Sequence, residues 1–241
     1  MTDATPNFSL VIPAFNEEAN VAPVVAEVLR TLEANSWIGR SEVILVNDGS
    51  VDGTGAVMDR LAAAHAEVRV LHHPVNRGFG AALRTGFGAS RGVNVALISA
   101  DGEIGPDQAV NLLREMGDAE LIVGYRKREV SFYRKFLTYG FNLLVRLLLG
   151  FVPDEVLIYV VHGDLLRRMD LRSDTGLVNL EVLLHCKEWG SRTKWSVASA
   201  RPRLSGVSKV ANLRTMVRIL VEMFKLGRSI GARRADAGSV R

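Results

Sequence analysis

Short apolar runs rich in β-branched residues recur along the first 126 residues. The runs are Phe8-Ser9-Leu10-Val11-Ile12, Glu42-Val43-Ile44-Leu45-Val46, Val68-Arg69-Val70-Leu71, Val93-Asn94-Val95-Ala96-Leu97-Ile98 and Leu121-Ile122-Val123-Gly124. Lengths of four to six residues with little polar alternation predict strands, and the almost wholly apolar Val93 to Ile98 predicts one covered on both faces. Between them the apolar spacing changes to three and four. Val21, Val24, Val25, Val28, Leu29 and Leu32 predict a helix reaching about Glu33, and further helices are expected from Asp52 to His65, from Ala81 to Ser90 and after Pro106, a residue suited to a first helical turn. Strands alternating with helices predict an α/β fold built on a wound, mostly parallel sheet.

The pattern changes after Arg126. Phe132, Phe136, Tyr139, Leu143 and Leu147 share one helical face of Ser131 to Leu149, with Arg134, Lys135 and Arg146 around it. Leu213 to Ile230 combines Met216, Val217, Leu220, Met223 and Phe224 with Arg214, Arg218, Lys225 and Arg228. Each segment fits either an amphipathic helix lying on a bilayer or a helix packed on the protein's own core. A strand at about Val156 to Val161, a helix at Leu177 to Lys187 and a strand at Thr193 to Val197 lie between them. Gly231 to Arg241 reads as a disordered tail. No transmembrane helix is expected, because the most apolar stretch, Phe141 to Val152, is short and contains Arg146.

With 241 residues, 48% hydrophobic and 23% charged, the composition is that of one globular α/β domain with an appendage. The net charge of +4 comes from Arg and Lys concentrated after Arg126, which points to an anionic partner such as phosphate or an acidic membrane. Nucleic acid is not expected, since aromatic-interleaved basic patches and the usual binding motifs are missing. The lone Cys186 sits among apolar neighbours and reads as core, consistent with the cytoplasm. Met1 to Asn7 is polar and does not resemble a signal peptide.

Candidate chemistry collects at the strand ends. Asp101-Gly102-Glu103 follows the fourth strand, and Asp48 follows the second, so a parallel sheet brings them to one edge. Two carboxylates on a tight turn suit a hard divalent cation, Mg²⁺ or Mn²⁺. Taken singly, each Asp is equally a turn former or a helix cap. Gly78-Phe79-Gly80 resembles part of a dinucleotide fingerprint but follows the third strand and lacks the last glycine, so its glycines are read as close helix-sheet packing. His65, His72, His73, His162 and His185 form no metal-spaced pair. Arg201 to Lys209 is a basic loop with Ser205, Gly206 and Ser208, able to wrap a diphosphate, and Arg203 to Lys209 is expected to be mobile until it does.

Taken in order, Val11 to Glu18, Val46 to Thr54, Asn76-Arg77-Gly78, Ala100 to Glu103 and Arg203 to Lys209 resemble family 2 glycosyltransferases, the dolichyl- and polyprenyl-phosphate mannose synthases in particular. The resemblance implies a GT-A fold and an inverting transfer of a hexose, mannose or glucose in type, from a GDP- or UDP-sugar to a polyprenyl phosphate. It also implies a Mg²⁺ or Mn²⁺ cofactor and a protein held peripherally at the cytoplasmic face of a membrane. Residues 8–126 would bind the nucleotide sugar, and residues 127–230 would face the acceptor and the membrane. By position, Pro13, Phe15 and Glu17 would line the nucleoside pocket, with Val46 and Asp48 holding base and ribose. Ala100, Asp101, Arg126, Arg203 and Lys209 would meet the donor. Asp101 and Glu103 would hold the metal, and Asp101 and Arg126 would be catalytic.

Two positions depart from that pattern. Ser99 stands where relatives commonly have an Asp, and Val156-Leu157-Ile158-Tyr159-Val160 replaces a Ser-Gly-Phe segment. They leave two other readings open: a related transferase with a glycan or other hydroxyl acceptor, and a non-catalytic nucleotide-binding protein.

Overall fold

Phe8–Ala14 (β1) is buried along its whole length, because it runs between two parallel neighbours and beneath helices on both faces. The neighbours are β2 (Ser41–Asn47) and β4 (Asn94–Leu97). Side chains alternate between the two faces. Phe8, Leu10, Ile12 and Ala14 join the core formed with Val21, Val24, Val25 and Val28 of α1 (Glu18–Ala34), Met58 of α2 (Thr54–Ala64), and Ala109 and Val110 of α4 (Pro106–Met116). On the other face, Val11 and Val46 meet α3 (Phe79–Ala89) at Gly86, where an added Cβ would come within 2.3 Å of the Val11 side chain.

The computed structural model describes residues 5–126, 155–204, 218 and 221–223. The sheet is completed by β3 (Val68–His72), β5 (Leu121–Arg126), β6 (Glu155–His162) and β7 (Thr193–Val197), in the order β3-β2-β1-β4-β6-β5-β7. A single turn of 3₁₀ helix, Ser36–Ile38, leads into β2, and α5 (Gly163–Arg167) and α6 (Leu177–Glu188) follow β6. The β1, β2, β3 and β4 pairings are parallel, as is β5 with β7, whereas β6 is antiparallel to β4.

By contacts the chain forms two units, Met1–Arg126 with Val156–Val207, and Lys127–Glu155 with Ser208–Arg241. The sheet belongs to the first. Of the second, Arg218 and Val221–Met223 are helical. The amphipathic segment Ser131 to Leu149, most of Leu213 to Ile230, the tail and Lys209 lie outside the described residues.

Among the described residues, the expected strands and the helices expected up to Arg126 and at Leu177 to Lys187 are present, with ends shifted by one or two residues. The structure adds α5 and the 3₁₀ turn, and it changes the reading of two glycines. Gly78 has φ +107°, a backbone state that favours glycine, and Gly80 lies against a loop rather than the sheet. The Gly80 N–H donates to the Asp174 carbonyl at 2.9 Å, and an added Cβ would come within 2.5 Å of the Ser173 carbonyl oxygen. It is Gly86 that allows the close helix-sheet approach.

Candidate active site

The chain crosses from β1 to β2 on one side and reaches β4 on the other, so the crevice at the carboxyl end of β1 is a topological switch point. Three loops meet there. The loop after β1 is tied to the loop after β2 by Asn16, whose N–H donates to Ser50 Oγ at 3.0 Å and whose Oδ1 accepts from the Val51 N–H at 2.9 Å. Asn16 takes φ +54°, a left-handed state that Asn tolerates better than most residues. Glu17 N–H donates to Thr54 Oγ1 at 2.8 Å, and Glu18 Oε2 accepts from the Gly53 N–H at 2.9 Å. Asp52, one residue ahead of Gly53, the N-cap of α2, accepts at Oδ1 from both the Thr54 N–H and the Thr54 hydroxyl. Burial opposes its ionisation, but these bonds and the Glu18 N–H together hold its pKa below the usual carboxylate value.

Asp48 is buried, and its carboxylate is fully engaged. Oδ1 accepts from His73 Nδ1 at 2.7 Å and the Arg77 N–H at 3.0 Å, while Oδ2 accepts from the Gly78 N–H at 2.8 Å. An ionised carboxylate only accepts, so His73 carries its proton on Nδ1. His73 Nε2 lies 2.9 Å from Thr85 Oγ1 on α3. Asp48 therefore secures the loop His73 to Gly78, and His73 is a site residue that its lack of a metal-spaced partner concealed. Gly49 has φ +67°, and an added Cβ would come within 2.2 Å of the Val75 carbonyl carbon. Gly49→Ala is expected to lose about 2 kcal/mol of stability through backbone strain and overlap, read as a lower thermal midpoint; an unchanged midpoint would show that the loop can move aside.

The second carboxylate cluster lies beyond β4. Asp101 Oδ1 accepts from the Ser99 hydroxyl and from the Glu103 N–H, the latter at 3.0 Å, which leaves Oδ2 for other partners. Arg203 Nη1 lies 3.0 Å from that oxygen, and its Nη2 lies 3.3 Å from Glu103 Oε2. One guanidinium thus spans both carboxylates. The strap carrying it is fixed by backbone bonds from Arg201 N–H to the Glu103 carbonyl and from Leu204 N–H to the Asp101 carbonyl. Arg201 also donates to the Gly102 carbonyl and pairs with both oxygens of Glu27 on α1, at 2.8 and 2.5 Å. These bonds hold Glu27 below the usual carboxylate range, against a smaller opposing effect of burial. Arg201 to Leu204, the described start of the basic loop, is therefore docked, because the carboxylates of the site already serve its cations; the rest of the segment expected to be mobile lies outside the described residues.

The remaining candidates are spread along the same edge. Pro13 of β1 pairs in register with Val46 of β2; both are buried, and the Val46 side chain faces α3. Phe15 and Glu17 are half-buried on the loop after β1, with Glu17 Oε2 accepting from Asn20 Nδ2 at 2.6 Å. Ala100 is buried beside Asp101. Arg126 ends β5, two strand spacings from β4, or about 10 Å along the sheet.

The donors at the Asp101 turn fit a hard divalent cation, since two carboxylate oxygens already converge on one positive group. Among the described residues no cluster of three or more His, Cys, Asp or Glu side chains could hold a metal ion. A cation here would need ligands beyond this pair.

The model of the family described as Glycosyl transferase family 2 matches residues 9–173. A dolichyl-phosphate beta-glucosyltransferase (ALG5C) of Trichomonas vaginalis is 32% identical over 157 residues, covering 57% of this chain and 45% of that one. An undecaprenyl-phosphate mannosyltransferase of Micrococcus luteus is 33% identical over 172 residues, covering 67% and 68%. The chain spans about half the length of the first curated relatives it matches. Among solved structures, the mannosyltransferase PcManGT from Pyrobaculum calidifontis, in complex with GDP-Man and Mn²⁺, superposes with a TM-score of 0.58 at 17% identity, covering 96% of this chain and 65% of that one. Glucosyl-3-phosphoglycerate synthase from Mycobacterium tuberculosis, with Mn²⁺, UDP and phosphoglyceric acid, gives 0.61 at 19% identity, covering 90% and 78%. At these identities the likeness is one of fold, and that fold is GT-A.

Proposed function

We propose, for a chain that belongs to glycosyl transferase family 2, that it moves a hexose from a nucleoside-diphosphate sugar to a polyprenyl phosphate, with inversion at the anomeric carbon. The observation that carries this reading is the turn beyond β4, where Asp101 and Glu103 converge on one cationic group at the switch point of the sheet. Relatives named for transfer to dolichyl and undecaprenyl phosphate support the acceptor, and neighbours solved with GDP-Man or UDP and Mn²⁺ support the donor.

The nucleoside lies over the loop after β1, against Pro13, Phe15 and Glu17, with Val46 beneath. Asp48 acts by holding the His73 to Gly78 loop as one wall of that pocket. Asp101 and Glu103 hold Mg²⁺ or Mn²⁺, whose chemistry when bound is to offset charge on the donor's phosphates. Ala100 places Asp101 at the diphosphate. Arg126, Arg203 and Lys209 stabilise the negative charge that grows on the departing diphosphate. A phosphate monoester is already mostly ionised near neutral pH, its second pKa being about 6, so the acceptor attacks without a dedicated general base.

The test is a panel of nucleoside-diphosphate hexoses, each offered with polyprenyl phosphate, polyprenol or an oligosaccharide. Nucleoside diphosphate release that depends on the phosphorylated lipid is expected. Release that depends on the oligosaccharide, or binding of donor without release, would overturn the reading.

Among the described residues no helix is long and apolar enough to cross a membrane. Residues 127–230 are proposed to approach the lipid acceptor through the two basic amphipathic segments, peripherally and from the cytoplasmic face. The protein is expected to pellet with anionic vesicles and to be released as salt rises, because screening weakens the attraction of the basic residues. Absence from the pellet at low salt would assign those segments to the protein's own core.

A further inference from the structure

We infer that Arg203 is an internal counter-cation for Asp101 and Glu103, so that a divalent cation and a nucleoside diphosphate enter the site together, the diphosphate drawing the guanidinium off the carboxylates. This rests on the functional reading above and adds to it a coupling between the two ligands.

The competition is for the same atoms. Asp101 Oδ1 is occupied by the Ser99 hydroxyl and the Glu103 N–H, and Arg203 takes the other oxygen while its second amino group takes Glu103 Oε2. A metal ion would need those two oxygens. The placement of Arg203 is not that of a loose surface side chain, because its strap is pinned on both sides. Arg201 N–H and Leu204 N–H bond to the carbonyls of Glu103 and Asp101, and Arg201 is clamped to Glu27. The Leu204 side chain lies over Gly102, within 2.8 Å of where a Cβ would stand. With the strap fixed, the Arg203 side chain, 32% exposed, is the link free to exchange partners by rotating.

A lone divalent cation gains little by displacing it. Two carboxylates without a third acidic, His or Cys neighbour among the described residues make a poor site for an ion that takes about six oxygens, and the displaced guanidinium would be left beside a like charge. A diphosphate changes both terms, since it accepts a forked pair of hydrogen bonds from arginine and supplies further oxygens for the metal. The two ligands then help each other, and by linkage the cation raises diphosphate affinity by the same factor. Ser99 has a part in this: its hydroxyl fixes Asp101 so that one oxygen alone is presented, and arginine and metal cannot share the carboxylate.

The experiment measures Mn²⁺ affinity by electron paramagnetic resonance for the full chain, Arg203→Gln and Arg203→Lys, without nucleotide and then with saturating GDP or UDP. Without nucleotide, Arg203→Gln is expected to bind Mn²⁺ about tenfold more tightly than the unaltered protein. Arg203→Lys keeps the charge but not the fork, and should fall between them. Nucleoside diphosphate should tighten Mn²⁺ binding by about tenfold or more in the unaltered protein and by less in Arg203→Gln. Equal or weaker Mn²⁺ binding by Arg203→Gln without nucleotide would overturn the inference, as would an Arg203→Lys protein that matches the unaltered one, because net charge rather than the bridge would then be responsible. Hexose transfer is read separately on the unaltered protein: transfer by it with an unchanged Arg203→Gln affinity for Mn²⁺ fails this inference alone, whereas a tightened Arg203→Gln affinity with no transfer by the unaltered protein supports the inference and fails the functional reading.

Discussion

Asp101→Asn is expected to lower kcat by two to three orders of magnitude, about 3 to 4 kcal/mol of transition-state stabilisation, while the thermal midpoint stays within about 3 °C. The amide keeps an oxygen that can accept from Ser99 and the Glu103 N–H, so the turn retains its internal bonds. What is lost is the charged oxygen facing Arg203, and a neutral amide is a much poorer ligand for a hard cation. Losing the partly exposed ion pair with Arg203 costs little stability, since such pairs contribute at most about 1 kcal/mol. Glu103→Gln should do less harm, because it changes only the more exposed member of the pair. Near-normal turnover by the Asp101 variant at limiting Mn²⁺ would remove Asp101 from the metal site.

Asp48→Ala should behave in the opposite way, losing about 4 kcal/mol of stability and lowering the thermal midpoint by about 10 °C. The substitution strands three donors that now share one buried carboxylate: His73 Nδ1–H and the N–H groups of Arg77 and Gly78. A buried donor left without a partner costs about 1 to 3 kcal/mol, and partial hydration of the relaxed loop keeps the sum below three full penalties. Activity would fall as well, but through loss of a pocket wall. Two aspartates at one sheet edge are thereby separated by experiment, one failing in the melt and the other in turnover. A variant that melts like the unaltered protein would show that the His73 to Gly78 loop is held by something other than Asp48.

The inner strands were legible because short apolar, β-branched runs are what a sheet covered on both faces buries completely, as β1 does, whereas the edge strands β3 and β7 are partly exposed. Strand direction left no such mark. Val156 to Val161 has the apolar pattern of its parallel neighbours, yet β6 runs antiparallel beside β4. The five-residue α5 is too short to show a helical period. At the site, Asp48 and Asp101 could be placed on one edge from strand ends alone. Their partners could not, because Arg203 lies 100 residues beyond Glu103 and His73 25 residues beyond Asp48. Ser99, which in sequence looks like a missing carboxylate, is in the structure a donor to Asp101. Gly80 reads as a helix-sheet glycine until the 173–175 loop is seen against it.

The proposed reaction takes a lipid phosphate as acceptor and a nucleoside-diphosphate hexose as donor. It is tested most directly by extracting the lipid after incubation of the protein with Mn²⁺, a nucleoside-diphosphate hexose and polyprenyl phosphate, and weighing the product by mass spectrometry. The expected product is a polyprenyl phosphate heavier by one hexose unit, absent when polyprenol replaces the phosphate or when Asp101→Asn replaces the unaltered protein. Unmodified polyprenyl phosphate with every GDP- and UDP-hexose offered, or a hexose attached equally well to polyprenol, would contradict it.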